Sequence, residues 1–145
     1  MSTIRALRNE DWDDWRALWG GYLAFYRQEL PEETSGATFD RLCTGEDGLF
    51  GLLALDDLGQ GIGMANCVVH ASTWSRQPKC YLEDLFVDPA ARGLDVGRAL
   101  LEAVKEAANA RGADPVYWHT QQYNGPARSL YDQVGRPTSF VVYEM

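Results

Sequence analysis

Apolar residues recur along this chain with two different periods, and the change from one to the other predicts its elements. Thr3 to Arg8 alternates weakly and reads as a short strand. Asn9 then stands as an N-cap with Glu10 and Asp11 in the first turn. Trp12, Trp15, Trp19, Tyr22 and Tyr26 follow at spacings of three and four, which is one helix face. Gly20-Gly21 interrupts that pattern and Pro31 ends the region. A second short helix is expected from near Thr38 to just before Gly45. Two strands, 49–55 and 62–72, are joined by the turn Asp56 to Gly61 and predict a hairpin. A strand over 80–87 comes next, then a helix from Val96 to Arg111 with Leu100, Leu101, Val104, Ala107 and Ala108 on one face and Gly112 just past its end. A strand over 116–120, a helix over 126–134 and a final strand over Ser139–Tyr143 complete the chain. The order is β-α-α-β-β-β-α-β-α-β, which predicts an α/β (α+β) mixed sheet with helices on its faces.

The most informative stretch is Tyr81 to Leu101, YLEDLFVDPAARGLDVGRALL. An apolar strand stops at Asp88-Pro89, a basic turn with Arg92, Gly93 and Gly97 follows, and a helix opens. Such a junction gathers free backbone N–H groups and the positive end of a helix dipole, which is a phosphate-binding arrangement. The nucleoside-triphosphate signature G-x-x-x-x-G-K-[ST] is absent, and so is the dinucleotide signature G-x-G-x-x-G.

Composition narrows the reading. With 145 residues, 46% hydrophobic, the chain is long enough to bury a core and is expected to form one domain over 1–145. Three cysteines without metal-ligand spacing point to neither a disulfide framework nor a metal centre, and a reducing cytoplasm is the simple expectation. Neither a membrane span nor a signal-peptide core is visible. A net charge of −8 disfavours nucleic acid as a partner; it suits a cationic substrate and equally suits a charge that only keeps the protein soluble, so charge alone does not decide between them.

The segment Arg92-Gly93-Leu94-Asp95-Val96-Gly97 resembles the [Q/R]-x-x-G-x-[G/A] turn of the GCN5-related N-acetyltransferase superfamily. The preceding Leu85-Phe86-Val87 looks like that family's strand end, and Asn124, Ala127, Leu130 and Tyr131 match its N-x-x-A-x-x-L-Y pattern. The likeness covers nearly the whole chain. Together with Tyr117 to Gln122 it looks most like the small branch containing yeast histone- and D-amino-acid-acetylating enzymes. The resemblance implies a splayed central sheet, acetyl-CoA as co-substrate and direct attack by a primary amine in a ternary complex. It also implies a homodimer. By the same resemblance Arg92 to Gly97 would hold the pyrophosphate, with Arg98 and Arg128 near the phosphates. Leu85 to Val87 would pair with the pantetheine amides through backbone groups, and Asn124 and Ala127 would flank that arm. The family's glycine is replaced by Asp95, which as a helix cap would compete with pyrophosphate for the same N–H groups.

Acetyl transfer needs an unprotonated amine, a polarised thioester and a proton for the departing thiolate. Tyr131 occupies the family's acid position. For the base the strand period of two makes Glu83 the first candidate, placing Tyr81, Glu83, Leu85 and Val87 on one face and Asp84 on the other; a structural salt bridge is its competing role. His119 and His70 read as hydrogen-bonded structure. Tyr22, Tyr26 and Glu29 are candidates to meet the acceptor amine, whereas Trp12, Trp15 and Trp19 read as core. Two other functions stand beside the enzyme: an acyl-CoA-binding module without turnover, motivated by Asp95, and an interaction protein whose final strand pairs with a partner's edge.

Overall fold

A computed structural model describes residues 2–93, 95–121 and 123–145. Its five strands are β1 (Thr3–Ala6), β2 (Leu49–Leu55), β3 (Gly61–His70), β4 (Lys79–Val87) and β5 (Val116–Tyr117), and they form one sheet in that order. The first four run antiparallel and β5 lies parallel to β4. Helices α1 (Trp12–Phe25) and α2 (Glu32–Thr44) cover one face. The other face carries α3 (Val96–Ala110), against which α4 (Gly125–Val134) packs.

Strand periodicity sorts the core into these two layers. Phe50, Leu52 and Ala54 of β2 and Ala65 and Cys67 of β3 meet Leu100, Val104 and Ala108 of α3. Leu53 and Met64, one residue out of phase, meet Trp15, Trp19, Phe39 and Leu42 on the opposite side. The tryptophan stripe is core, with Trp15 fully buried and stacked on Trp19 at 5.4 Å. Its indole N–H groups are satisfied: Trp19 Nε1 donates to Ser35 Oγ of α2 at 3.0 Å, and Trp15 Nε1 to Asn66 Oδ1 of β3 at 3.1 Å.

Four expectations change. The second helix begins at Glu32, not near Thr38, because Pro31 supplies an extended N-cap and Glu32 and Glu33 suit a helix N-terminus. The first helix runs unbroken through Gly20-Gly21. A Cβ on Gly21 would sit 2.8 Å from the Phe86 ring, so the glycine lets α1 lie against β4. Asn9 is not the cap: it opens a single 3₁₀ turn, where Asp11 accepts from the Arg8 N–H at 2.7 Å and from the Arg5 guanidinium at 2.8 Å. Finally, Ser139–Tyr143 is not a strand. In that segment Phe140, Val141, Val142 and Tyr143 are all exposed.

The sheet is splayed between β4 and β5. Their ladder covers only Cys80 and Tyr81, so from Leu82 to Val87 the outer edge of β4 has no neighbouring strand among the described residues. No helix among those residues is long and apolar enough to cross a membrane.

Candidate active site

The splay opens a slot bounded by the end of β4, the start of α3 and the start of α4. At its floor, β4 carries an irregularity that changes which side chains face where. Asn66 pairs with Asp84, but the next residue, Cys67, pairs with Leu82, so Glu83 is an extra residue in a β-bulge. Cys80 and Leu82 before the bulge, and Leu85 and Val87 after it, all face the α3 layer, while Phe86 faces α1. The expectation that Glu83 shares a face with Leu85 and Val87 therefore fails. Glu83 is exposed in the bulge, and Asp84 is the carboxylate turned into the protein beneath α1.

Asp84 is held by a relay that begins in the core. Trp15 donates to Asn66 Oδ1, which orients the amide so that Asn66 Nδ2 donates to Asp84 Oδ2 at 3.1 Å. Tyr22 Oη donates to the Glu83 carbonyl at 3.4 Å and also faces the Asp84 carboxylate. Burial pushes the Asp84 carboxyl up to about 6, against the opposing pull of the hydrogen bonds from Asn66 and Tyr22. Burial also raises the Tyr22 hydroxyl, with the Asp84 charge adding to it, and the same two causes raise Tyr26. Tyr22 stacks on Trp19 at 5.5 Å and Tyr26 packs on Tyr22 at 4.9 Å. Glu29, the third expected acceptor residue, is exposed in the connection to α2. A pocket of about 210 Å³ lies beside this group, with Glu83, Asp84 and Asn66 on one wall and Arg41 and Thr38 of α2 on another. Arg41 reaches Asp47 at 3.6 Å and is otherwise open to the pocket and solvent.

Across the slot, Tyr131 of α4 is half-buried and stands edge-on to Trp118 at 5.5 Å. Burial raises its hydroxyl above the usual tyrosine value, and the neighbouring Tyr26 hydroxyl adds to that, so the group stays protonated at neutral pH. His119 meets the Tyr81 hydroxyl at 3.2 Å and His70 meets that of Tyr117 at 2.7 Å, which makes both part of an aromatic cluster at the sheet edge.

The turn before α3 has the form expected of an anion cradle. Gly93 and Asp95 both take left-handed backbones, with φ of 88° and 59°. Asp95 sits at the N-cap position, but its exposed side chain accepts no capping hydrogen bond, so the expectation that it closes off the helix N–H groups is not met. A bond into the helix runs from Ala99 N to Asp95 O at 3.0 Å, and among the described residues no backbone acceptor is seen for the N–H groups of Val96, Gly97 and Arg98. Val96 anchors the turn in the core. A Cβ on Gly97 would lie 3.1 Å from Leu130, so α3 and α4 approach closely there. Arg92 Nε donates to the Val87 carbonyl at 3.2 Å with its guanidinium over the Phe86 ring. Leu94 lies outside the described residues. Asn124 is the N-cap residue of α4 without a capping side-chain bond, Ala127 is half-buried behind it, and Arg128 is exposed on the same helix. Arg98 hydrogen-bonds Gln133 and lines a groove between α3 and α4.

The splayed sheet, the bulged strand β4 and the turn before α3 are the features of the fold that candidate chemistry rests on, and comparison with known proteins shows which family has that fold. Residues 4–135 match the model of the acetyltransferase (GNAT) family. The chain belongs to that family. It is 35% identical over 142 residues to the D-amino-acid N-acetyltransferase HPA3 of Saccharomyces cerevisiae, covering 97% of this chain and 88% of the relative. It is 32% identical over 142 residues to the uncharacterized N-acetyltransferase YhfO of Bacillus subtilis, covering 97% and 94%. In fold it superposes on the aminoglycoside acetyltransferase AAC(6')-Iy, in complex with a CoA-based bisubstrate analogue, with a TM-score of 0.87 at 21% identity, covering 100% and 97%. The chain is an acetyl-CoA-dependent acetyltransferase. Asp84 and Arg41 line the pocket although the sequence did not single them out; Asn66, a lone amide in the apolar run GMANCVV, was the available signal, since a buried amide needs a partner.

Proposed function

We propose that this GNAT enzyme transfers acetyl from acetyl-CoA to the amine of a small acceptor that also carries a carboxylate, an amino acid. The observation that supports it most is that one pocket is lined by Asp84, held by Asn66, by Glu83 and by Arg41. An acceptor needs a carboxylate near its amine and a cation near its acid group, and both are available within about 210 Å³. The yeast relative's name as a D-amino-acid N-acetyltransferase supports the same class.

The pyrophosphate of acetyl-CoA sits on the N–H groups that open α3 and beside Arg92. The pantetheine arm runs along the open edge of β4 at Leu85, Phe86 and Val87, flanked by Asn124 and Ala127, with Arg128 toward the phosphates. Glu83, at the pocket mouth, attracts the ammonium form; Tyr22 and Tyr26 wall the amine. Asp84 takes the amine's proton as the nitrogen attacks the thioester carbonyl. The C–N bond forms, the C–S bond breaks, and the Tyr131 hydroxyl gives its proton to the sulfur. The non-catalytic reading loses its motive because the Asp95 side chain leaves the helix N–H groups open.

Two measurements test this. Amino acids should support thiol release from acetyl-CoA, and the matching amines without a carboxylate should do so poorly. Arg41→Met should raise KM for the amino acid by roughly tenfold with kcat little changed, since a partly exposed charge-assisted contact is worth about 1.5 kcal/mol. Equal KM for both acceptor sets would remove Arg41 from the reading. For the co-substrate, Asp95→Gly should tighten acetyl-CoA by a factor of about 3 to 10. It relieves a left-handed non-glycine residue and removes a negative charge near pyrophosphate. Titration calorimetry reads the change, and an unchanged affinity would mean that Asp95 neither strains nor repels.

A further inference from the structure

We propose that Tyr81 and His119 carry the proton that each turnover returns to solvent, with the His119 imidazole as the group that exchanges it with water. The inference rests on the reading above in taking an amine as acceptor and Asp84 as its base. Proton balance sets the requirement. Amines ordinarily carry an extra proton at neutral pH, so the acceptor enters as R–NH3+ and leaves as R–NH–acetyl. Two N–H bonds break, one S–H bond forms on CoA, and one proton must reach water. Asp84 holds one proton at a time, so the first has to leave before the nitrogen attacks. The bound acceptor itself fills the pocket through which Asp84 meets solvent.

The bulge in β4 supplies the way out. In a regular strand Tyr81 and Asp84, three residues apart, would face opposite sides of the sheet. Cys80 and Leu82 face the α3 layer, which leaves Tyr81 on the α1 side, and the extra residue at Glu83 turns Asp84 to that same side. Burial raises the Tyr81 hydroxyl and the charges of Glu83 and Asp84 add to it, which fits a protonated hydroxyl beside both carboxylates. Tyr22, bonded to the Glu83 carbonyl and facing Asp84, lies within electrostatic reach of the Tyr81 hydroxyl.

β5 brings the exit to that side. Tyr117 pairs with Tyr81 in the parallel ladder and stacks on it at 5.0 Å. His119, two residues on, is exposed, with its ring 5.1 Å from the Tyr81 ring and its Nδ1 3.2 Å from the Tyr81 hydroxyl. The two histidines of this cluster are not equivalent. His70 has both ring nitrogens engaged, Nδ1 with the Ala71 carbonyl at 2.8 Å and Nε2 with the Tyr117 hydroxyl at 2.7 Å, so it props the stack. His119 meets water, and imidazole is the side chain that ordinarily gains and loses a proton near neutral pH. Asp84 passes its proton through the Tyr22 hydroxyl to Tyr81. The Tyr81 O–H bond breaks as the His119 Nδ1–H bond forms, the tyrosine is reprotonated from the Asp84 side, and the imidazolium gives its Nε2 proton to water or a buffer base. Asp84 is then a carboxylate again, ready for the proton released as the nitrogen attacks.

Chemical rescue is the test, read as thiol release in a single turnover with saturating acetyl-CoA and any amine that supports it. In dilute buffer His119→Ala should slow that step by about 10-fold with acetyl-CoA affinity unchanged, and about 50 mM imidazole should restore it to within about twofold of wild type. Wild type should not respond to imidazole. Tyr81→Phe keeps the stack on Tyr117 and should show the same loss without rescue. His70→Ala, which removes only a prop, should likewise gain nothing from imidazole. A His119→Ala variant as fast as wild type, a loss that imidazole leaves untouched, or an equal rescue of His70→Ala would each overturn the proposal. Failure of amino acids as acceptors would sink the acceptor reading alone, because another amine then serves in the same assay.

Discussion

Asp84→Asn should give a protein that is more stable than the wild type and nearly inert. The carboxyl is pushed up to about 6 mainly by burial, whereas in the unfolded chain it titrates near about 3.9. Between those values the folded protein holds a proton that the unfolded chain has released, so stability falls as pH rises through the window and stays lower above it. The full difference corresponds to about 3 kcal/mol, and solvent contact through the pocket reduces it to about 1–2 kcal/mol. Asparagine keeps the shape and the acceptor oxygen for Asn66 but has no charge to desolvate. Urea unfolding at pH 7.5 should therefore show the variant as the more stable protein, and the gap should shrink as pH falls toward about 4. The same substitution removes the base, and turnover should fall by roughly 10²–10⁴-fold. The wild-type pH–rate profile should rise through an acid limb near about 6 that the variant lacks. Glu83→Gln should instead act mainly on KM, because Glu83 is exposed in the bulge. A variant that keeps most of its turnover, or loses stability at pH 7.5, would return the base assignment to Glu83. Instability borne for function in this way is the usual signature of a reactive group.

Where the chain's pattern is local, sequence was sufficient. The tryptophan stripe of α1 and the amphipathic α3 each follow from the spacing of side chains on one element, and the hairpin of β2 and β3 from two apolar runs around a turn. The junction of β4, turn and α3 was legible too, because a strand end, a glycine turn and a helix start are contiguous. What failed was set by distant partners. The bulge at Glu83 exists in the pairing of β4 with β3, and no property of LEDL alone says which of its two acids is the extra residue. Gly20-Gly21 looked like an interruption because its counterpart, the Phe86 ring, is remote in sequence. The α2 start was missed by weighing apolar spacing above the cap at Pro31 and the two acids after it. The segment 139–143 has strand-forming residues and pairs with no strand among the described residues, and strand propensity is realised only against a neighbour.

Tyr131→Phe should lower kcat by roughly 10²–10³-fold while leaving acetyl-CoA affinity within about twofold. The two effects separate because the hydroxyl acts late. In the ground state the thioester sulfur carries little charge and gains little from a donor, whereas in the collapsing intermediate it becomes a thiolate. A donor placed there stabilises the transition state and not the bound substrate. Burial keeps the Tyr131 hydroxyl protonated well past neutral pH, so the acid is present throughout the working range. Phenylalanine preserves the edge-on contact with Trp118, and stability should change by less than about 0.5 kcal/mol. Packing alone therefore cannot produce the kinetic loss. Single-turnover measurements with saturating acetyl-CoA isolate the chemical step, and calorimetry gives the affinity. Unchanged turnover with unchanged stability would assign Tyr131 to the wall of the slot and leave the thiolate to be protonated by solvent. A matched loss in affinity and rate would mean that the hydroxyl positions the pantetheine arm instead of meeting the sulfur. Only a loss confined to kcat fits a proton delivered as the C–S bond breaks.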